Sequence, residues 1–356
     1  MAGAHLGGSI TDAALATLLL PFHGGALAWP AQGQVRFLRA RAGADWQDLA
    51  TAGMLCEQSF KPFAEQLQRE GRNVATEADA PSMSASVLTL VLPPRQREEA
   101  RALFARALSG TQAGGVVVAC QANNEGARSG EADLARLAGA TQSLSKNKCR
   151  VFWAVVDPAR SDQELLTQWA QLDAPRPIAD GRFLSRPGLF AWDRIDAASR
   201  LLAAQLPDDL AGQGADLGAG YGYLAAELLA RCPKIVALDL YEAEARALDL
   251  ARKNLVAAGD RVALDFFWHD VGVGLPRRYD VIVSNPPFHV DRSDRPELGQ
   301  AFITAAADAL RPGGRFFLVA NRHLPYEEIL GARFGTWRVL AQEQGFKVIE
   351  AIRADA

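Results

Sequence analysis

Ala215-Asp216-Leu217-Gly218-Ala219-Gly220-Tyr221-Gly222 is a strand end running into a glycine loop, and the apolar segment 222–231 behind it has helical spacing. Glycines at such a place permit a tight turn and a close approach of backbone to ligand. Outward from this loop the second half of the chain alternates. Residues 235–240 form a β-rich run closing on Asp239, and residues 242–257 have helical spacing. Strands are expected at 262–268, 279–284 and 315–320, with a helix over 299–310 that stops at Arg311-Pro312-Gly313-Gly314. Residues 337–342 and 346–352 read as a closing hairpin around Gly345. This alternation implies an α/β fold, an open and mainly parallel sheet with helices on both faces. Ligands on such sheets bind beyond the carboxyl ends of the strands. The loops after each strand are therefore the informative ones.

With 356 residues the chain is long for one core and comfortable for two. Apolar residues at 49% and charged ones at 22% are ordinary for a globular protein. A net charge of −3 argues against a basic nucleic-acid coat protein, so any RNA affinity must come from a local patch. The four cysteines (Cys56, Cys120, Cys149, Cys232) form no CxxC pair and have no histidine cluster beside them. Neither a metal site nor a disulfide framework is expected, and reduced cytosolic thiols place the chain in the cytoplasm. No apolar run reaches about 18 residues, so no membrane span is expected. Residues 13–22 are apolar but lack a preceding basic segment and a cleavage site, and are read as a core helix.

The first half is less regular. Strand-like runs stand at 35–38, 86–92, 116–120 and 151–156, with a helical run over 95–108. The stretch 171–186, carrying Pro175, Pro177 and Gly181 and followed by Pro187, has little periodicity and is read as the linker between residues 1–170 and 187–356. A weak internal repeat joins the two parts. A strand leads into Val91-Leu92-Pro93-Pro94 in the first and into Ser284-Asn285-Pro286-Pro287 in the second. Each is followed by a helix, a Gly-Gly pair (Gly114-Gly115, Gly313-Gly314) and an apolar strand. Spacings differ and glycines mark turns everywhere, so duplication stays open on the pattern alone. If it holds, the first part has Leu92 where the second has Asn285, and it lacks an Asp-x-Gly-x-Gly loop.

The candidate site residues follow from the loops. Asp216-x-Gly218-x-Gly220, with Tyr221, is the form associated with S-adenosylmethionine enzymes, in which an acidic residue near the loop faces the ammonium of the methionine part. A dinucleotide loop and a plain strand-to-helix turn are the alternatives. Asp239 is suited to accept both ribose hydroxyls; its competing reading is a helix N-cap. Asp270, after Trp268-His269, is placed for the adenine amino group, and His269 is read as structural or lining. Asn285-Pro286-Pro287-Phe288 follows the fourth strand on the same edge. Two prolines stop the ladder and hold a rigid turn. Methylating an exocyclic amine requires concentrating a lone pair that is delocalised into the ring. The Asn285 side-chain oxygen and the Pro286 carbonyl can each accept from that amine, and Phe288 offers a stacking face worth roughly 1–3 kcal/mol. Positioning supplies much of the rate of such a transfer, so Asn285, Pro286, Pro287 and Phe288 are the catalytic candidates. Asn285 also borders the cofactor.

At these residues the chain resembles the class I methyltransferases that modify the exocyclic amine of guanine in ribosomal RNA, in particular the two-domain bacterial enzymes of the small subunit. The resemblance covers most of residues 180–356. It rests on Pro187-Gly188-Leu189-Phe190 with Asp193 and Asp196, the loop 216–222, Asn285-Pro286-Pro287-Phe288-His289, Val319-Ala320-Asn321, Leu324-Pro325-Tyr326, and Phe346-Lys347-Val348 with Ala351. Over residues 1–170 it is weaker, resting on the layout, on Asn123-Asn124-Glu125-Gly126 and on Lys146-Asn147-Lys148-Cys149-Arg150. Ala219 and Arg322-His323 depart from the pattern, the latter at the substrate rim. The resemblance implies two Rossmann-like methyltransferase domains in tandem. The first is degenerate and serves RNA binding or support; the second is a seven-stranded class I sheet. It further implies S-adenosyl-L-methionine as cofactor, transfer to N2 of a guanine in 16S rRNA, and Phe288, His289 and Arg322 at the substrate.

Lys146, Lys148, Arg150, Arg182, Arg186, Arg194, Arg292, Arg295 and Arg322 are candidate phosphate contacts, and each is alternatively a solvated charge. Phe190 either packs over the cofactor or belongs to the core. The partner expected is ribosomal RNA or the small subunit, with no membrane and no metal; no sequence feature specifies an oligomeric state. Competing functions are methylation of a protein glutamine, N6-adenine methylation, and an inactive RNA-binding assembly module. Phe288-His289 disfavours the first, and intact Asp216, Gly218, Gly220, Asp239 and Asn285 disfavour the last.

Overall fold

Apolar runs broken by Gly and Pro build two open sheets of seven strands each, one in each half of the chain. The computed structural model describes residues 12–46, 49–79, 85–287, 289–290, 293–294 and 296–355, the side chains of 289, 290, 293 and 294 excepted. Phe288, Arg292 and Arg295 lie outside the described residues, and His289 is described by its backbone alone. Contacts divide the chain into two units, Met1–Ala174 and Pro175–Ala356.

The first unit contains β1 (Val35–Leu38), β2 (Leu55–Glu57), β3 (Asn73–Ala75), β4 (Ser86–Val91), β5 (Thr111–Ala122), β6 (Gln142–Lys146) and β7 (Cys149–Val155). Their order is β3-β2-β1-β4-β5-β7-β6, parallel through β5 and antiparallel after it. The second unit opens with a short hairpin, β8 (Arg176–Ile178) and β9 (Phe183–Ser185). This hairpin occupies the stretch read as a linker. Then come β10 (Ala211–Leu217), β11 (Lys234–Glu242), β12 (Ala263–Trp268), β13 (Tyr279–Ser284), a two-residue pair β14 (His289–Val290) and β15 (Ser293–Asp294), β16 (Leu310–Asn321), β17 (Thr336–Glu343) and β18 (Phe346–Ile352). The large sheet runs β12-β11-β10-β13-β16-β18-β17, the same order as in the first unit. Strands β2, β3 and β6 were not legible in the sequence. The first two have three residues each, and β6 is exposed along its whole length, so neither shows a buried period.

Registers also correspond. Leu38 pairs with Val91 in the first unit as Leu217 pairs with Ser284 in the second. Val91 pairs with Ala119 as Ser284 pairs with Leu318. Leu92-Pro93-Pro94 therefore occupies the position of Asn285-Pro286-Pro287, and Arg39 that of Gly218. Arg39 keeps the left-handed backbone (φ 55°) that Gly218 adopts at φ 72°. Its guanidinium lies 2.9 Å from Glu99, a carboxylate only 2% exposed. A long, half-buried side chain paired with a buried carboxylate thus stands in the first unit at the place of the glycine loop of the second.

Each sheet is buried on both faces, as parallel sheets with helical crossovers are. In the second unit adjacent residues alternate between two cores. Val283 and Phe317 join Leu202, Leu228 and Leu238 on one face, while Ile282 and Phe316 join Ile303 and Leu330 on the other. The helix Ala197–Gln205 starts where Asp196 accepts the Ser199 N–H at 2.8 Å, an ordinary N-cap. Strands β10 and β13 lie where the strand order reverses, which opens a crevice at their carboxyl ends.

Candidate active site

The loop leaving β10 is shaped by three left-handed glycines, Gly218, Gly220 (φ 56°) and Gly222 (φ 91°). The Gly218 and Ala219 N–H groups donate to the Tyr241 carbonyl at 2.8 and 3.1 Å, folding the loop back over β11. A Cβ on Gly218 would lie 3.3 Å from the Phe302 ring, whereas one on Gly220 would meet nothing within 4 Å. The open side of the loop faces a cleft lined by Phe190, Asp196, Ser199, Tyr221 and Asn285. Phe190 is 66% exposed at its mouth, so it is no part of the core. Tyr221 is buried, and its hydroxyl donates to the Arg194 carbonyl at 3.2 Å, which ties the preceding segment to the loop.

Two carboxylates converge beneath this loop. Asp216 is fully buried; one oxygen accepts the Ala225 N–H at 3.0 Å and the other, Oδ1, is buried without a partner. Burial, with the nearby Glu242 charge, pushes its carboxyl up to about 7. Glu242 closes β11, accepting the Gly220 N–H at 2.7 Å on Oε2 and the Glu244 N–H at 2.8 Å on Oε1. Burial raises its carboxyl as well.

Here the structure corrects the sequence reading. Strand β11 continues three residues past Asp239, so Asp239 lies inside the sheet and not at its edge. It is 5% exposed, accepts the Tyr279 hydroxyl at 2.6 Å and binds Arg277 at 3.2 Å. It neither reaches the cleft nor caps a helix; Glu244 caps the helix that follows. Aspartate disfavours strands by propensity, which is why the run was ended there, but Tyr279 and Arg277 satisfy it in place. The acid at the strand end is Glu242, whose only sequence signal was its place just after the apolar Leu238-Asp239-Leu240-Tyr241 run.

Asp270 stands after β12 on the same edge, and its Oδ1 accepts the Gly272 N–H at 2.8 Å, capping a short turn. His269 is structural: its Nε2 is 2.7 Å from the Gly274 carbonyl and its ring meets Tyr241 edge-on. Arg322 is exposed after β16 on this edge. Of the other candidate phosphate contacts, Arg150, Arg182 and Arg194 are held in ion pairs with Glu131, Glu227 and Asp193.

Asn285 leaves β13 with its side chain clamped. Its Nδ2 donates to Asp196 at 3.0 Å and to the Ser199 hydroxyl at 2.8 Å. A carboxylate can only accept, so this contact fixes which end of the amide faces it. Asn285 Oδ1 is therefore turned the other way, buried and without a partner. A buried carbonyl left unpaired costs about 1–3 kcal/mol, and an amine placed there would recover it. Pro286 beside it is buried, and Pro287 is exposed. In the sequence Asp196 carries no sign of this role and Ser199 none at all, since their spacing of three shows only a helix start.

The donor set suits S-adenosylmethionine. An orphaned buried carboxylate oxygen at Asp216 suits an ammonium, and Glu242 at the strand edge suits a ribose diol. No lysine or arginine lines the cleft among the described residues. The residues fit the methionine nucleoside. Among the described residues no group of three or more His, Cys, Asp or Glu could hold a metal, and no helix is long and apolar enough to cross a membrane.

Comparisons with known proteins agree with this geometry. Residues 180–350 match the family model described as a methyltransferase small domain. A protein of Klebsiella pneumoniae named ribosomal RNA small subunit methyltransferase C is 33% identical over 73% of this chain and 73% of its own length. A Sodalis glossinidius protein of the same name is 34% identical over 73% of this chain and 72% of its own. The chain belongs to the small-subunit rRNA methyltransferase C family. Among solved structures, the T. thermophilus 16S rRNA N2 G1207 methyltransferase, in complex with AdoMet and guanosine, superposes with a TM-score of 0.77 at 24% identity. It covers 97% of this chain and 93% of that one, so the two-unit methyltransferase C fold extends over nearly the whole chain. Membership makes the protein an S-adenosylmethionine-dependent methyltransferase.

Proposed function

We propose that the second unit transfers a methyl group from S-adenosyl-L-methionine to the exocyclic N2 amine of a guanine in the 16S rRNA of the small ribosomal subunit, acting in the cytoplasm. The observation that carries this reading is the clamped Asn285, whose Oδ1 is buried, unpaired and turned away from Asp196 and Ser199. Asp216 holds the cofactor ammonium, Glu242 its ribose and Asp270 its adenine edge. The cofactor, when bound, supplies an electrophilic methyl on a sulfonium.

Everything else falls to the chain. Asn285 Oδ1 and the Pro286 carbonyl accept the two N–H bonds of the amine, localising its lone pair. The two prolines hold these acceptors in one geometry. Phe288 stacks on the base, and His289 and Arg322 flank it. The first unit, with Leu92 and the Arg39–Glu99 pair where the second has Asn285 and Gly218, carries no methyl transfer and serves RNA binding or support.

The test is incubation with tritiated cofactor and ribosomal RNA or subunits from a strain lacking the protein, followed by nucleoside analysis. Label is expected in N2-methylguanosine. Label in N6-methyladenosine, or only in a protein glutamine, overturns the substrate, and failure to bind cofactor in calorimetry overturns the enzyme.

A further inference from the structure

The first unit has lost the cofactor half of the shared architecture but not the other half. A cavity of about 300 Å3 opens at the carboxyl edge of β4 and β5, lined by Pro94, Arg95, Arg97, Gln121, Asn124 and Gly130 among others. Its volume is at the lower end of small-ligand clefts, about 300–1,000 Å3. By the corresponding registers it occupies, within the first unit, the place that the substrate side has within the second. Pro94 matches Pro287, Arg95 matches Phe288, and Asn124 matches His323.

Its polar groups are unlike those of a decayed site. Gln121 is 4% exposed; its Nε2 donates to the Pro94 carbonyl at 3.0 Å, and its Oε1 is buried without a partner. Gly130 makes room for that oxygen, since a Cβ there would lie 2.2 Å from it. Arg97 is held at the wall by two contacts to Asp133, at 3.0 and 3.1 Å, and Arg101 grips the same carboxylate at 2.9 and 3.0 Å. Two guanidiniums on one carboxylate leave a net positive charge. Arg95 is exposed and makes no ion pair among the described residues. The helix Ala127–Ala138 begins at Gly126, which lines the cavity, and its first N–H groups have no side-chain cap. Glu125, at the rim, is the opposing charge.

We propose that this cavity binds a guanine nucleotide of the RNA substrate. The donor edge of the base (N1–H and N2 amine) meets Gln121 Oε1, and its phosphate meets Arg95, Arg97 and the helix start. Arginine in place of the stacking Phe288 suits this role, because a guanidinium both stacks on bases and binds phosphate. The site grips without methylating, since Arg39, paired with Glu99, stands at the place of Gly218 and Leu92 at that of the Asn285 amide. The assignment to RNA rests on the function proposed above.

Photocrosslinking of the full chain tests it, with two probes carrying 6-thioguanosine: the free 5′-monophosphate and a short single-stranded oligoribonucleotide. The oligonucleotide is expected to label a peptide containing Arg95–Arg97 or Gln121–Ser129, and Arg95→Glu to weaken that labelling on the order of tenfold, the loss of one charged hydrogen bond. Arg95 is exposed, so this variant folds; Gln121→Glu, which keeps shape, serves as the second. Adducts confined to residues beyond 174, or unchanged labelling of Arg95→Glu, overturn the site. Labelling by the monophosphate alone overturns its assignment to RNA. Cofactor affinity is expected to be unchanged in both variants. Absence of rRNA methylation with the crosslink intact would fault the function reading and leave the nucleotide site standing.

Discussion

At the scale of the residue, the active site depends on which atoms are left unpaired. Asn285 is useful because Asp196 and Ser199 occupy its amide nitrogen. Asp196→Asn removes the charged acceptor and frees the amide to turn. A hydrogen bond to a charged group contributes about 1.5–3 kcal/mol, so kcat is expected to fall roughly 10- to 100-fold, with cofactor Kd nearly constant. An equal loss in cofactor affinity would show that Asp196 acts on the cofactor and not through Asn285. Asp239 and Glu242 make a second contrast. Glu242→Gln is expected to weaken cofactor binding on the order of tenfold in calorimetry. Asp239→Asn, which disturbs Tyr279 and Arg277, is expected to lower stability by about 1–3 kcal/mol in denaturant melts without that loss. The reverse result would restore Asp239 to the ribose. Asp216 gives a pH dependence. Its carboxyl is raised by burial to about 7, above the unfolded value near 3.9, so its contribution to stability is full below that value and lost as pH rises through 7. The cofactor ammonium favours the carboxylate. Affinity for S-adenosylmethionine is therefore expected to rise from pH 6 to pH 8 with proton release, measured by calorimetry in buffers of different ionisation enthalpy. A flat profile would mean that Asp216 is already charged.

At the scale of the element, the helices that carry the site are held by close fits invisible in their own sequences. Gly299, in the helix Pro296–Ala309, faces the Tyr326 hydroxyl so closely that a Cβ would sit 1.8 Å from it. Alanine in a helix interior is ordinarily more stable than glycine. Here overpacking wins, and Gly299→Ala is expected to cost about 1–3 kcal/mol in denaturant titration. A gain in stability would show that Tyr326 yields freely. Strands buried over most of their length were legible: 279–284 and 346–352 match β13 and β18 end for end. The short strands β2 and β3 and the exposed β6 were not, because burial period is the signal and they have little of it. The hairpin β8–β9 was hidden for another reason. Its prolines and Gly181 read as a break, and only packing of Ile178 and Phe183 against Leu189 and Tyr221 makes it an element of the second unit.

At the scale of the whole molecule, two sheets of identical strand order carry different residues at matching places, Gly218 and Asn285 in the second unit and Arg39, paired with Glu99, and Leu92 in the first. All four cysteines are free and buried, at most 3% exposed. A thiol reagent is expected to find no fast-reacting group in the native protein and four after denaturation; a fast native thiol would show local opening around it. The weak repeat noted around Leu92 and Asn285 becomes a correspondence of registers once the strand pairings are known.

The sequence by itself determined what is local in the chain. The glycine loop, the Asn-Pro-Pro turn and the alternating buried strands are short-range patterns; they suffice for the α/β class and the loop edge of the site, and together with the family resemblance they point to methyl transfer. What only the tertiary structure decided is what depends on contacts distant in sequence. Asp239 is withdrawn from the edge by Tyr279 and Arg277, and Glu242 takes its place. Asn285 is oriented by residues 86 and 89 positions away. Hydrogen-bond partners are chosen by the folded neighbourhood, and no window of sequence contains it.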